Sequence, residues 1–113
     1  ADYTIYKGDE VKVAEKIIEL ANEKADEGKI TGIITADQHL HMYQGRLNKS
    51  IKVVSLGDIE KPETVANHLF KALRDFDKVD TEFIFGEAFS EKNVGQAIMN
   101  RLTKAAGYNI IDV

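Results

Sequence analysis

The 113 residues include no cysteine. That one absence removes disulfide scaffolds, thiolate metal sites and cysteine nucleophiles together. Proline occurs once, at Pro62, and no linker, repeat or low-complexity stretch interrupts the chain. No apolar run approaches the roughly 18 residues of a membrane span, and no signal-peptide pattern is present. Basic charge is not in excess either. Fifteen Lys+Arg stand against 19 Asp+Glu, giving a net charge of -4, whereas strong phosphate affinity comes from clustered basic groups. Direct nucleic-acid binding is therefore not expected. What remains is an ordinary globular composition, 43% hydrophobic and 30% charged, which excludes a disordered tail. A chain of this length buries about two thirds of its unfolded surface and folds without a metal or disulfide. One domain spanning residues 1–113 in a cytoplasmic setting is the expectation.

The apolar periods alternate between strand and helix. Tyr3 to Tyr6 reads as a strand, stopped at Lys7-Gly8. Asp9 is placed to cap a helix whose stripe is Ala14, Ile17, Ile18, Ala21 and Ala25, with Gly28 at its left-handed end. Lys29 to Ala36 is a strand apolar enough to be buried on both faces. Asp37 to Ser50 reads as a loop with one helical turn, and Ile51 to Ser55 as a third strand. Pro62 suits the first position of a second helix, with Val65, Ala66, Leu69, Phe70, Leu73 and Phe76 on its apolar face. Phe83 to Phe85 is a fourth strand, closed by Gly86-Glu87. Ser90 or Asn93 is a candidate cap for a last helix bearing Val94, Ala97, Ile98, Leu102 and Ala105. Gly107 ends it, before a strand at Ile110 to Val113. This order implies a three-layer α/β/α, Rossmann-like domain with a mainly parallel sheet of about five strands. By analogy with dinucleotide-binding halves the expected strand order is 3-2-1-4-5.

A phosphate cradle needs a glycine-rich turn between strand and helix. Here that turn is Lys7-Gly8-Asp9, with one glycine and a carboxylate. Ser50, Ser55 and Ser90 lie in no nucleophile-elbow context, so neither nucleotide chemistry nor acyl transfer has a motif. His39-Leu40-His41, read as extended, puts two imidazoles on one side near Asp37. Two ligands do not make a zinc site, and a solvated loop is the expected role. His68 reads as a partly buried packing residue.

Two charges fall inside apolar stripes when helical phase is counted. Arg101 lies between Ala97 and Ala105, and Asp77 between Ala66 and Phe70. Buried charges need partners, which predicts an Asp77–Arg101 ion pair joining two helices, or else a contact of Arg101 with a ligand or a neighbouring domain. Glu87, directly after a strand, belongs at the carboxyl rim of the sheet. There it can act as a base or ligand contact, but hydrogen bonding to the next loop's amides is the expected use.

The second half carries a recognisable wording. Ala66, Leu69-Phe70, Leu73-Arg74 and Phe76-Asp77 are followed by Glu87, then by Gly95, Ala97-Ile98-Met99-Asn100-Arg101-Leu102 and Lys104-Ala105-Ala106. Together with the Ser55-Leu56-Gly57 turn, this resembles the C-terminal domain of two-domain threonylcarbamoyl-AMP synthases, strongly over residues 51–107 and in layout before that. Where the family carries two glycines around a leucine, this chain has Asn93-Val94-Gly95.

The resemblance implies an accessory domain beside an N-terminal YrdC-like catalytic domain acting in cis. That domain makes threonylcarbamoyl-AMP from threonine, bicarbonate and ATP, with Mg expected as ATP's companion, and releases pyrophosphate. The product serves tRNA threonylcarbamoylation, so tRNA is a partner only through the pathway. The catalytic motifs have no counterpart in these residues, which implies no turnover, cofactor or catalytic residue here, and reads the start at Tyr3 as a cut after a linker. The rim at Gly57, Asp58, Glu87, Gly95 and Asn100 is the candidate inter-domain or ligand contact. A stand-alone small-ligand sensor is the alternative, and an independent hydrolase using Glu87 or the histidines rests on no motif.

Overall fold

A computed structural model describes residues 1–90, 92 and 95–113. Five strands form one sheet: β1 (Asp2–Lys7), β2 (Thr31–Thr35), β3 (Lys52–Ser55), β4 (Phe83–Glu87) and β5 (Ile110–Asp112). Among the described residues the α-helices that connect them are α1 (Glu10–Asp26), α2 (Pro62–Lys78) and α3 (Gln96–Ala105). Every strand pair is parallel. Continuous burial along Thr31–Thr35 reflects cover on both faces. One core gathers Ile17 and Ala21 of α1 with Tyr6, Ile33 and Phe85. The other gathers Leu69 and Phe76 of α2 and Leu102 of α3 with Ile5, Ile34 and Ile84.

Local chemistry fixes the ends of α1. The Asp9 carboxylate accepts from the amides of Val11 and Lys12, both at 3.1 Å, satisfying two of the first turn's orphan donors. At the other end the Gly28 amide donates to Ala25 and the Lys29 amide to Lys24. That double bond pattern requires the left-handed φ of 84° that Gly28 supplies. Pro62 opens α2, as expected of a residue whose missing amide is an orphan there.

The strand order is β3-β2-β4-β1-β5, which corrects the expected 3-2-1-4-5. The crossover through α1 skips one position, and α2 carries the chain back over β2 to drop β4 into the gap. An adjacent crossover and a skipping one use helices of similar length, so periodicity does not separate them.

Three further expectations change. Residues 37–42 wind as a 3-10 segment, in keeping with the helical turn expected in that loop, so His39-Leu40-His41 does not run extended. Gly95 occupies the N-cap of α3, without a side-chain cap. Ser90 instead accepts from the Lys92 amide, and Asn93 and Val94 lie outside the described residues. Asp77 and Arg101 are both exposed. Among the described residues the ion pairs are His39–Glu10, His39–Glu87 and Arg46–Glu15, so the Asp77–Arg101 pair is not formed. The apolar stripes misled the phase. Ala97 and Ala105 lie outside, and α3 buries Met99 and Leu102. Phe70 is 51% exposed, and Asp77 follows it two turns later on the same outward side.

Candidate functional site

The connection from β2 stays on the α1 face and leads outward to β3. The connection from β4 crosses the other face through α3 towards β5. The carboxyl ends of β2 and β4 therefore border the point where the winding changes direction, where open α/β sheets receive ligands. Thr35 ends β2 and Glu87 ends β4, and both side chains point to the α1 face.

Glu87 is only 3% exposed, and both of its carboxylate oxygens have partners. Oε2 accepts from the hydroxyls of Thr35 and of Tyr43, the latter at 2.6 Å. Oε1 lies 2.5 Å from Nδ1 of His39. The other ring nitrogen of His39 lies 3.0 Å from Glu10 Oε2 at the start of α1. An imidazole flanked by two carboxylate oxygens must carry a proton on each nitrogen to donate to both. This geometry favours the imidazolium form of His39, set against the buried Glu87 carboxylate. Burial alone would lower its pKa, but the Glu87 and Glu10 carboxylates outweigh burial and raise it. Burial first, and then the Glu87 charge, push the Tyr43 hydroxyl far upward, so it remains a proton donor.

This corrects the expectation for Glu87. Its partners are three side chains from β2 and the following segment, not the amides of its own next loop. The 3-10 winding explains why the histidines part company. At about 3 residues per turn, positions 39 and 41 point in different directions. His39 enters the rim and His41 stays exposed. Among the described residues no three His, Asp or Glu side chains converge to hold a metal. Both Glu87 oxygens and both His39 ring nitrogens have partners within the protein. The cluster is a clasp that ties β2, β4, residues 37–43 and α1 together, and it fills the crevice.

Two open hollows flank the clasp. One, with a volume of about 450 Å³, lies between β1, β5 and α3 and is lined by Lys7, Phe89, Met99, Asn100 and Ile110. The other, about 420 Å³, lies beside β3 and α2 and includes Asp37, Ser55, Gly57, His68, Lys71 and Asp75. The rim residues named from sequence therefore fall in three places. Gly57 lines the second hollow, Glu87 is interior, and Asn100 lines the first. Asp58 knits the loop after β3, accepting from the Glu60 amide and from Gln38, and these donors hold its carboxyl below the usual range. Gly95, at the start of α3, has a φ of 82°. His68 is not a packing residue. Its Nδ1–H donates to the Leu56 carbonyl at 2.7 Å.

His39 and Tyr43 were not assigned partners from sequence. The only signal was polar residues in an irregular segment directly after a buried strand.

The family model described as threonylcarbamoyl-AMP synthase, C-terminal domain, matches residues 1–107. The chain belongs to that family. Over all 113 residues it is 38% identical to the threonylcarbamoyl-AMP synthase of Pyrococcus abyssi, and over 97 residues it is 39% identical to that of Bacillus subtilis. It spans 30% and 27% of those two proteins. The crystal structure of P. abyssi Sua5 with L-threonine superimposes on the whole chain with a TM-score of 0.76. A C-terminal Sua5 domain from Pyrococcus horikoshii, solved by itself, is 34% identical with a TM-score of 0.71, and the match covers 97% of it. In this C-terminal family, then, the chain is a five-stranded parallel α/β unit corresponding to under a third of its longer relatives. No helix among the described residues is long and apolar enough to cross a membrane.

Proposed function

We propose that this chain is the accessory domain of a cytoplasmic threonylcarbamoyl-AMP synthase, working in cis beside a YrdC-like catalytic domain. In the whole protein, threonine, bicarbonate and ATP, with Mg, would give threonylcarbamoyl-AMP and pyrophosphate for the modification of tRNA. The observation that carries the reading is the family match over residues 1–107 in a chain spanning 30% of its P. abyssi relative.

The chemistry of the rim supports a non-catalytic role for this part. The first strand–helix turn spends its helix amides on Asp9, its own carboxylate, where a nucleotide-binding fold would offer them to phosphate. The crevice at the β2/β4 boundary is filled by Glu87, His39 and Tyr43. What is left for a partner is the outer rim around Gly57 and Asp58 and the start of α3 at Gly95 and Asn100.

The test is pyrophosphate release with threonine, bicarbonate, ATP and Mg. The 113-residue chain alone should release none, and adding it to the separate catalytic domain should change that domain's rate. Pyrophosphate from the chain alone, or no effect on the catalytic domain in trans or when fused, would overturn the proposal.

A further inference from the structure

The hollow beside β3 is built by a short loop whose polar groups are individually held. Ser55 Oγ donates to Asp37 Oδ1 at 2.6 Å and accepts from the Gly57 amide at 3.0 Å. The Asp37 amide donates to the Gly57 carbonyl at 3.0 Å. His68 donates through Nδ1 to the Leu56 carbonyl, which in the neutral ring leaves Nε2 as an acceptor. Gly57 is required at the corner. Its φ is 97°, and a Cβ there would stand 3.0 Å from His68 Nδ1 and 3.2 Å from Cε1. Such a corner fixes the Asp37 carboxylate and the His68 ring before any ligand arrives.

The lining is of mixed sign. Asp37 and Asp75 face the hollow with Lys71, over a small apolar floor of Val54 and Ala72. Among the described residues none of these three charged groups is in an ion pair. Two carboxylates against one ammonium disfavour a phosphate-bearing guest. The acidic groups are also not gathered closely enough for a metal ion, so the cation that suits them is a larger, hydrogen-bonding one. An ammonium group offers three donors, matching Asp75, the free oxygen of Asp37 and His68 Nε2, while Lys71 suits a carboxylate. A small aliphatic side chain would rest on Val54 and Ala72.

We infer that this hollow is a binding site for a free α-amino acid with a small aliphatic side chain, held by its ammonium and carboxylate together. The site is separate from the Glu87 clasp and does not depend on the accessory role proposed above. Pocket-like clefts of a few hundred Å³ with a few convergent polar groups are where small ligands bind.

The test is a titration of the 113-residue chain followed by amide NMR, with L-valine as the ligand and two analogues each lacking one charge. These are isobutylamine, without the carboxylate, and isovalerate, without the ammonium. The expected result is saturable, millimolar binding of valine with shifts centred on Ser55, Gly57 and Lys71. Each analogue should bind at least about tenfold more weakly. Among the described residues the Asp75 and Lys71 side chains make no hydrogen bond, so Asp75→Asn and Lys71→Met should each weaken valine by about tenfold while leaving the thermal midpoint in place. No saturable shift, equal binding of the singly charged analogues, or valine binding unmoved by both substitutions would each overturn the inference. None of these results bears on pyrophosphate release, so this site can fail while the accessory role stands.

Discussion

The ring of Phe76 occupies the space that a side chain on Gly32 would fill. A Cβ on Gly32 would lie 2.3 Å from Cε1 of Phe76 and 2.7 Å from Cζ. Phe76 is fully buried, packed on the one position of β2 where the sheet offers no side chain. Gly32 is thus a packing glycine, needed for a close approach rather than for a turn.

Gly32→Ala is therefore an overpacking change. It should destabilise the chain by about 1–3 kcal/mol as the ring and strand shift apart. Urea unfolding would show this as a lower midpoint with an unchanged slope. A variant as stable as the parent would contradict the contact.

Tyr3 presents the opposite case. Its hydroxyl is buried without a hydrogen-bond partner among the described residues, and burial raises its pKa well above the ordinary phenol value. Tyr3→Phe removes an unsatisfied polar atom and keeps the ring beside Gly86. The expected outcome is a gain of about 1 kcal/mol, read as a rise of a few degrees in the thermal midpoint. A loss of stability would mean that the hydroxyl has a partner.

The clasp around Glu87 predicts a pH dependence with a definite sign. The folded-state pKa of His39 is raised, so its contribution is fully present below the unfolded value of about 6.5. It is lost as pH rises through the folded value. Urea midpoints should fall across that alkaline-side window in the parent. In His39→Gln the slope over the same window should flatten. Parallel pH profiles for the two proteins would rule out the imidazolium.

Tyr43→Phe tests the same cluster without changing its charge. It takes one of three donors from a buried carboxylate, and hydrogen bonds to charged groups contribute about 1.5–3 kcal/mol. Calorimetry should show a loss of that order. Glu87→Gln should be worse, because it also leaves His39 facing an amide.

Arg101→Ala is predicted to be nearly silent. The side chain is exposed and unpaired among the described residues, and surface changes of this kind stay within about 0.5 kcal/mol. Combined with Asp77→Ala, the effects should add. A coupling well above that level would restore the ion pair that the helical phase suggested.

The elements themselves were legible in the sequence because their signals are local. Asp9, Gly28 and Pro62 mark helix ends by their own backbone chemistry, and each stands where expected. Strand order was not legible, since it depends on which neighbour a crossover skips. The clasp escaped for a related reason. Thr35, His39, Tyr43 and Glu87 are brought together by the parallel pairing of β2 with β4, about fifty positions apart in the chain, and no spacing records that. Alanines misled the reading of Arg101, because they are tolerated equally inside a core and on an exposed helix face.

The insertion of β4 between β2 and β1 leaves the first strand with neighbours drawn solely from the last third of the chain. Asp2 to Tyr6 pair with Phe83 to Glu87, and Ile5 to Lys7 with Ile110 to Asp112. During synthesis, then, β1 leaves the ribosome with no strand to pair with until some eighty further residues have followed it. Closing loops of that size before any reward arrives slows folding. Truncating the chain after α2 would leave β1 without a place in any sheet, because both of its neighbours lie beyond that point.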